Sequence, residues 1–415
     1  MAQPDVSPMP DDLSSPWRDD FPIFRTQPDF AYLDTASSAQ KPDAVIARIR
    51  AVMEGEYANI HRGLYQLSQN LTEEYEAVRQ SAMAFLNAPA AEGQVIFTRN
   101  ATEAVNLVAQ SWGRTFLEAG DEVILSEMEH HANIVPWQIL RDQIGIKIQV
   151  VRVTDDGMLD LDDLSTKLST RTKLVSLVHI SNSLGTINPV QKIKETVKSF
   201  NADIIIMFDG SQAAVHGPVN LAELDPDFYF LTGHKLYGPT GVGVLYGRAD
   251  LLNQMPPYQG GGDMIERVRF DRTTYKDAPF KFEAGTPPIL EVVGLGRAIK
   301  YISEIGMEKV AAHEHALYTA ARAALEEIEG LHFYGDHVES AAILSFTAEW
   351  AHISDIAMIL DQCGVAVRTG HHCCMPLMKR YGIEGTVRAS FGVYNDGNDI
   401  DKLRESLKKA QNMLK

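Results

Sequence analysis

The chain has 415 residues, 45% hydrophobic and 22% charged, which suits a soluble globular protein with room for two or three domains. Its 38 Lys and Arg against 55 Asp and Glu leave a formal net charge of -17, which argues against a nucleic-acid backbone or an anionic membrane surface as partner. No run approaches the ~18 consecutive apolar residues that a transmembrane helix needs.

The amino terminus, MAQPDVSPMPDDLSSPW, lacks the basic and apolar regions of a signal peptide, so residues 1–16 read as a mobile, acidic, Pro-rich leader of a cytoplasmic protein. Three cysteines, two of them adjacent at Cys373 and Cys374, make no disulfide framework and fit a reducing compartment. Residues 17–30 read as a segment packing on a carboxyl-terminal domain. From Gly93, short apolar runs alternate with helical segments. A strand is predicted over 95–98, then a helix with Asn100 and Thr102 as candidate caps and Ala104, Val105, Leu107, Val108 and Trp112 on an apolar stripe. Further strands are predicted over 122–126, 147–153, 174–180 and 203–208, with a helix over 189–200 between the last two. This alternation predicts an α/β fold with a mostly parallel central sheet covered on both faces, binding ligands beyond the carboxyl ends of its strands. Two long helices, 289–305 and 307–329, are predicted to break at Gly306. Strands follow over 331–334, 342–347 and 365–368, with a helix carrying Ile353, Ile356, Ala357 and Leu360 before the last. A large domain is therefore expected over 31–299 and a smaller α/β domain over 300–415.

The residues just past each apolar run are the ones to weigh. Lys235 lies in FYFLTGHKLYGPTG, where Phe228, Phe230 and Leu231 predict a buried strand and Gly233, Pro239 and Gly241 forbid a helix directly after it. A lysine held there among Phe, Tyr and His, partly stripped of water, has its charged form disfavoured, as Schiff-base chemistry requires; a solvated loop lysine is the ordinary alternative. The run IIIMF ends in Asp209, which at a buried strand end wants a cation such as a protonated pyridine nitrogen; a turn or cap residue is the alternative. Together the two carry the signature of pyridoxal phosphate. His130, beyond the 122–126 strand, is placed to stack on such a ring and move protons, although Glu129-His130-His131 also reads as metal ligands or a polar turn. Thr102, at a helix start, suits a phosphate or acts simply as a cap, and Thr232 and His234 flank Gly233 to complete a phosphate cup. In the carboxyl-terminal part, Arg368-Thr369-Gly370-His371-His372-Cys373-Cys374 reads as a reactive thiol in a mobile loop. Four consecutive ligands cannot surround one ion tetrahedrally, so no metal is expected. Cys363 reads as core. Arg388 is placed to bind a substrate carboxylate bidentately, with a surface arginine as its default reading. Gly260-Gly261-Gly262 does not sit between a strand and a helix, as a nucleotide fingerprint must.

The segments AYLDTASSAQKP, HRGLYQLS, MEHHANIVPWQ, DGSQA, GHKLYGPTG, FEAGTP and RTGHHC, from about Phe21 to near the carboxyl end, resemble those of group II, SUF-type cysteine desulfurases, within the class V aminotransferase family of fold type I pyridoxal-phosphate enzymes. The resemblance implies a homodimer in which Lys235 forms the Schiff base with pyridoxal 5'-phosphate, Asp209 meets the pyridine nitrogen, Gln212 meets the ring oxygen and His130 stacks over the ring. Thr102, Thr232 and His234 would hold the phosphate, with the partner subunit's Thr286 and a backbone N–H at Ala101, where several relatives carry a second hydroxyl. Arg388 would anchor the substrate carboxylate, with Asn182, His61 and Arg368 nearby, and Cys373 would take the sulfur as a persulfide. The implied reaction turns L-cysteine into L-alanine and passes the sulfur to a SUF-pathway acceptor protein for iron-sulfur cluster assembly. A selenocysteine lyase, an aminotransferase and a kynureninase-like hydrolase are alternatives on this fold, and the thiol loop argues against the last two. Cys374, where many relatives have no thiol, is a second candidate sulfur acceptor.

Overall fold

The computed structural model describes residues 13–335 and 340–415; residues 1–12, most of the expected leader, lie outside them. A seven-stranded sheet organises the fold, built from β1 (Gly93–Thr98), β2 (Glu122–Ser126), β3 (Lys147–Val151), β4 (Thr172–Val178), β5 (Ile205–Asp209), β6 (Phe228–Thr232) and β7 (Gly243–Arg248). Their spatial order is β1-β7-β6-β5-β4-β2-β3. Only β7 runs against its neighbours, pairing antiparallel with β1 and β6, and the other pairs are parallel. Every residue of β2 and β6 is buried, as expected of inner strands covered on both faces. Successive side chains enter opposite layers: Phe228 and Phe230 join one apolar cluster, Tyr229 and Leu231 the other. The covering helices obey the same logic, Val190–Phe200 burying Ile193 and Val197 one turn apart.

A second, antiparallel sheet contains β8 (Leu331–Tyr334), β9 (Ile343–Ala348), β10 (Arg368–Gly370) and β11 (Thr386–Ser390) in the order β8-β9-β11-β10. It shares an apolar core with the helices Met307–Glu326, Ile353–Gln362 and Gly397–Leu414 through Leu325, Phe346, Ile356, Leu360, Val387 and Leu403.

Several expected boundaries move. The division at 299/300 falls inside the helix Ile289–Ile305, which packs on the helices Asp43–Ala51 and Gln66–Phe85 of the first unit. Gly306, at φ 93°, ends that helix, so the second unit starts at Met307. Residues 31–34, expected in the large domain, belong with the second unit: Ala31 pairs with Val365 and Asp34 bridges Ser390. The strand predicted over 365–368 is accordingly split, Val365–Ala366 pairing with Ala31–Tyr32 while Arg368–Gly370 joins β11. Residues 13–16 are tied down rather than loose, with Leu13 accepting from Gly397 N–H at 3.1 Å and the Ser15 hydroxyl donating to Val393 O. Residues 17–30 bridge both units. Arg18 donates to Asp399 at 2.9 Å, and Phe21 packs on Tyr237, Tyr301 and Tyr394. Cys363 is no core residue. It is the half-buried C-cap of the helix Ile353–Gln362, with Lys409 Nζ 3.7 Å from its sulfur.

Candidate active site

The carboxyl ends of β4, β5 and β6 lie side by side, Val178 opposite Asp209 and Asp209 opposite Phe230. They border a cleft that also takes in Asn100, Ala101, Thr102 and His130 and, from the second sheet, Arg368 and Arg388. Lys235 lies just past β6, in a turn closed by the Gly233 N–H donating to Val242 O at 2.9 Å and the Gly238 N–H to Gly233 O at 3.0 Å. Burial pushes its amine down to about 8, against the pull of the Asp209 carboxylate. About a tenth of it is unprotonated at pH 7. Asp209 is 5% exposed and accepts from the Ser211 N–H at 2.9 Å. Burial raises its pKa, so a cation placed against it relieves an unfavourable desolvation. The tight turn beyond it needs Gly210, because a Cβ there would lie 2.0 Å from the Tyr229 ring.

His130 accepts from the Ala132 N–H through Nδ1 at 3.1 Å, so its own proton sits on Nε2. Burial, then the nearby Lys235, pushes its pKa down to about 3, leaving a neutral ring. Gln212 donates through Nε2 to Ala36 O at 2.8 Å. Asn100, not Thr102, caps the helix Ala101–Val108, accepting from the Glu103 N–H at 2.9 Å. The N–H groups of Ala101 and Thr102 then have no acceptor among the described residues. The buried hydroxyl of Thr232 has no partner among the described residues, and His234 is kept neutral by burial, its pKa near 4. Orphaned donors at a helix start, beside a basic lysine and a buried carboxylate, fit pyridoxal phosphate: the phosphate would meet the first, and the ring the other two.

The second sheet supplies the opposite wall. Arg388 is 1% exposed, which removes the surface reading. It donates through Nη1 to Asn182 O at 2.6 Å and through Nη2 to Ser37 Oγ at 2.7 Å and Asp34 Oδ1 at 3.1 Å, while its Nε has no partner among the described residues. Arg368 donates to the same Ser37 Oγ at 2.8 Å and places Nη2 3.9 Å from Cys373 Sγ. Cys373 is half-buried at this edge. The expected mobile loop is instead a short tied turn between β10 and the helix Met375–Tyr381. Asn182 Nδ2 donates to His372 O and the His131 N–H to Cys373 O, each at 2.8 Å. These bonds hold His372 and Cys373 in left-handed conformations, φ 48° and 58°, that non-glycine residues rarely adopt. Cys374 faces the interior, donates to Asn182 Oδ1 at 3.2 Å and has its thiol pushed up to about 12 by burial.

Two expected residues lie away from this cleft in their own chain. His61 contacts Glu76 at 3.0 Å and borders a hollow with Asp263, Lys276 and Phe280. Thr286 borders another with Arg99, Glu103 and Tyr258. Asp34, Ser37, Ser211 and His372 are site residues to which sequence reasoning gave no role, although all four fall in or beside the motifs quoted above.

Comparisons with known proteins agree with this geometry. The family described as Aminotransferase class-V matches residues 31–403. A cysteine desulfurase of Dickeya dadantii (strain 3937) is 46% identical over 402 residues, covering 96% of each chain. One of Serratia proteamaculans (strain 568) is 45% identical over 401 residues, 96% of this chain and 98% of that one. Among solved structures, the Escherichia coli cysteine desulfurase CsdA, in an S-sulfonic acid form, superposes with a TM-score of 0.89 at 37% identity over 96% of this chain and 98% of its own. The apo cysteine desulfurase of Thermococcus onnurineus NA1 gives 0.89 at 35% identity over 100% and 99%. With the strand-end lysine and aspartate in place, this chain belongs to the class V aminotransferase family and, within it, to the pyridoxal-phosphate-dependent cysteine desulfurases.

Proposed function

We propose that the chain is a homodimeric, SUF-type, cytoplasmic enzyme in which Cys373 takes sulfur from L-cysteine and passes it, as a persulfide, to an acceptor protein for iron-sulfur cluster assembly. The observation that carries this reading is the opposition, across one cleft, of Lys235 and Asp209 from the large sheet to Arg388 and the Cys373 turn from the second. When bound, pyridoxal phosphate supplies the electron sink for negative charge at the substrate α-carbon. Arg388 orients the substrate carboxylate, its buried Nε being a donor without a partner among the described residues. Lys235, partly unprotonated near neutral pH, takes the α-proton. His130 carries its proton on Nε2, so at that atom it gives a proton or a hydrogen bond and accepts neither. The Cys373 thiolate attacks the substrate sulfur; the S–S bond forms as the Cβ–S bond breaks, and the electron pair left on carbon is protonated to give alanine.

The homodimer reading draws support from His61 and Thr286, which lie off the cleft of their own chain, and from the apolar side chains near His61, Leu64 at 93% and Tyr65 at 56% exposure. Incubation of the purified protein with L-cysteine and a reductant tests the reaction. Equimolar alanine and sulfide are expected; turnover of selenocysteine alone would replace the reading with a selenocysteine lyase.

A further inference from the structure

Behind the cleft lies a buried acid-imidazole pair that the mechanism above does not use. His216 and Glu314 have side chains 2% exposed, and His216 Nδ1 is 2.6 Å from Glu314 Oε2. The other imidazole nitrogen, Nε2, is 3.1 Å from Gln212 Oε1, and Gln212 lines the cleft. Protons can be assigned along this chain of contacts. Ala36 O only accepts, so the Gln212 amide must turn its NH2 toward it, at 2.8 Å, and its oxygen toward His216. That oxygen also only accepts, so His216 Nε2 must carry a proton. The contact between Nδ1 and Glu314 then holds a second proton, whichever of the two atoms bears it.

We infer that His216 and Glu314 are positioning residues: together they lock the Gln212 amide with its nitrogen on the Ala36 side, leaving its second N–H as a donor available to the cofactor ring. Without a proton on His216 Nε2, the amide oxygen would face a lone pair and the flipped amide would face Ala36 O with an oxygen. Either orientation loses a bond in a buried place, where an unmade hydrogen bond is costly. The pair also joins two units of the fold, since His216 follows β5 and Glu314 lies on the helix Met307–Glu326. This inference rests on the cofactor reading for what Gln212 contacts, but not for the proton assignment.

His216→Phe is the decisive variant. It keeps a ring in the buried space but removes the Nε2 donor that faces Gln212 Oε1, whereas Glu314→Gln can donate its amide N–H to Nδ1, leaves the Nε2 proton in place and should behave much as the wild type. Loaded His216→Phe should show a shifted visible absorption maximum and a cofactor dissociation constant raised about tenfold, the loss of roughly one net hydrogen bond. In a Gln212→Ala background the same substitution should change neither quantity, because the residue through which it acts is gone. Additive effects of the two substitutions, or an unshifted band in His216→Phe, would overturn the inference. Nitrogen-15 shifts of labelled histidine in the wild-type protein, read before cofactor is added, decide the case even where the variant fails to fold. A protonated Nε2 on His216 is expected, and a lone pair there refutes the arrangement independently of what Gln212 touches.

Discussion

Arg368 and Arg388 stand directly opposite each other in the antiparallel pairing of β10 with β11, and both guanidinium groups donate to one hydroxyl, Ser37 Oγ, at 2.8 and 2.7 Å. Like charges in that relationship repel, and Asp34, at 3.1 Å from Arg388, answers them. Burial and the neighbouring Arg368 make Arg388 harder to keep charged, which its ion pair with Asp34 opposes. A site that keeps two cations together around one hydroxyl is built for an anion, and the carboxylate of an amino-acid substrate meets that need.

Arg388→Lys should therefore raise KM for L-cysteine by about 10- to 100-fold with a smaller fall in kcat, since a point charge cannot reproduce the fork that reaches Asn182, Ser37 and Asp34. Ser37→Ala should raise KM by about fivefold, losing the hydroxyl that aligns both arginines. Steady-state kinetics separate the two constants. A KM unchanged in both variants would place the carboxylate elsewhere.

The adjacent thiols divide by environment. Cys374, held near pKa 12, has about one part in ten thousand as thiolate at pH 8, whereas Cys373 sits at the cleft edge beside Arg368. Cys373→Ala should keep the visible absorption of the bound cofactor and lose sulfide release from L-cysteine by at least about 100-fold. Cys374→Ser should retain most activity. Its cost should appear in stability, by about 1 kcal/mol, because the bond to Asn182 Oδ1 is altered. Sulfide release measured on both variants decides the assignment, and full activity in Cys373→Ala would dismiss it.

The depressed pKa of Lys235 makes a prediction of opposite sense to most buried ion pairs. With the amine near 8 when folded and 10.5 when unfolded, the unfolded chain holds more protons between those values. Stability of the cofactor-free protein should rise across that interval, and the whole penalty for burying the amine is present below about pH 8. Lys235→Met should accordingly raise Tm of the cofactor-free protein at pH 7 by about 5 °C, with the gain fading toward pH 10.5. The same variant should not develop the cofactor's visible Schiff-base absorption. Thermal melts across pH, with and without pyridoxal phosphate, check both statements.

What the sequence discloses about this site depends on how local each signal is. Lys235 and Asp209 can be read directly, because one follows and the other ends a buried, mostly apolar strand and the strand-end rule needs no distant partner. Asp34 and Ser37 cannot: their contacts with Arg388 span 354 and 351 residues, and no periodicity records them. The Cys373 turn suggests mobility in sequence, with Gly370 before it, but Asn182, 190 residues away, fixes it through the His372 carbonyl. The boundary drawn at 299 fails for a related reason. The helix Ile289–Ile305 reads as one of a consecutive pair, and only packing shows its allegiance: a Cβ on Gly294 would lie 2.8 Å from Ile49, and one on Gly296 2.4 Å from Val78, both on helices of the first unit.

His61 and Thr286 supply the test of whether two chains share a site. Both lie outside the cleft that holds Lys235 in the same chain. If Thr286 serves the cleft of a second subunit, a protein defective at Lys235 and one defective at Thr286 should rescue each other. In a mixed dimer of Lys235→Ala with Thr286→Asp, one cleft would carry both defects, while the other would combine an intact Lys235 with the intact Thr286 of its partner. Co-expression with two affinity tags isolates that species. Desulfurase activity near half that of the wild-type dimer is expected, against almost none in either parent dimer. A residue acting within its own chain gives the opposite result, because each cleft of the mixed dimer would then keep one defect and neither would turn over L-cysteine.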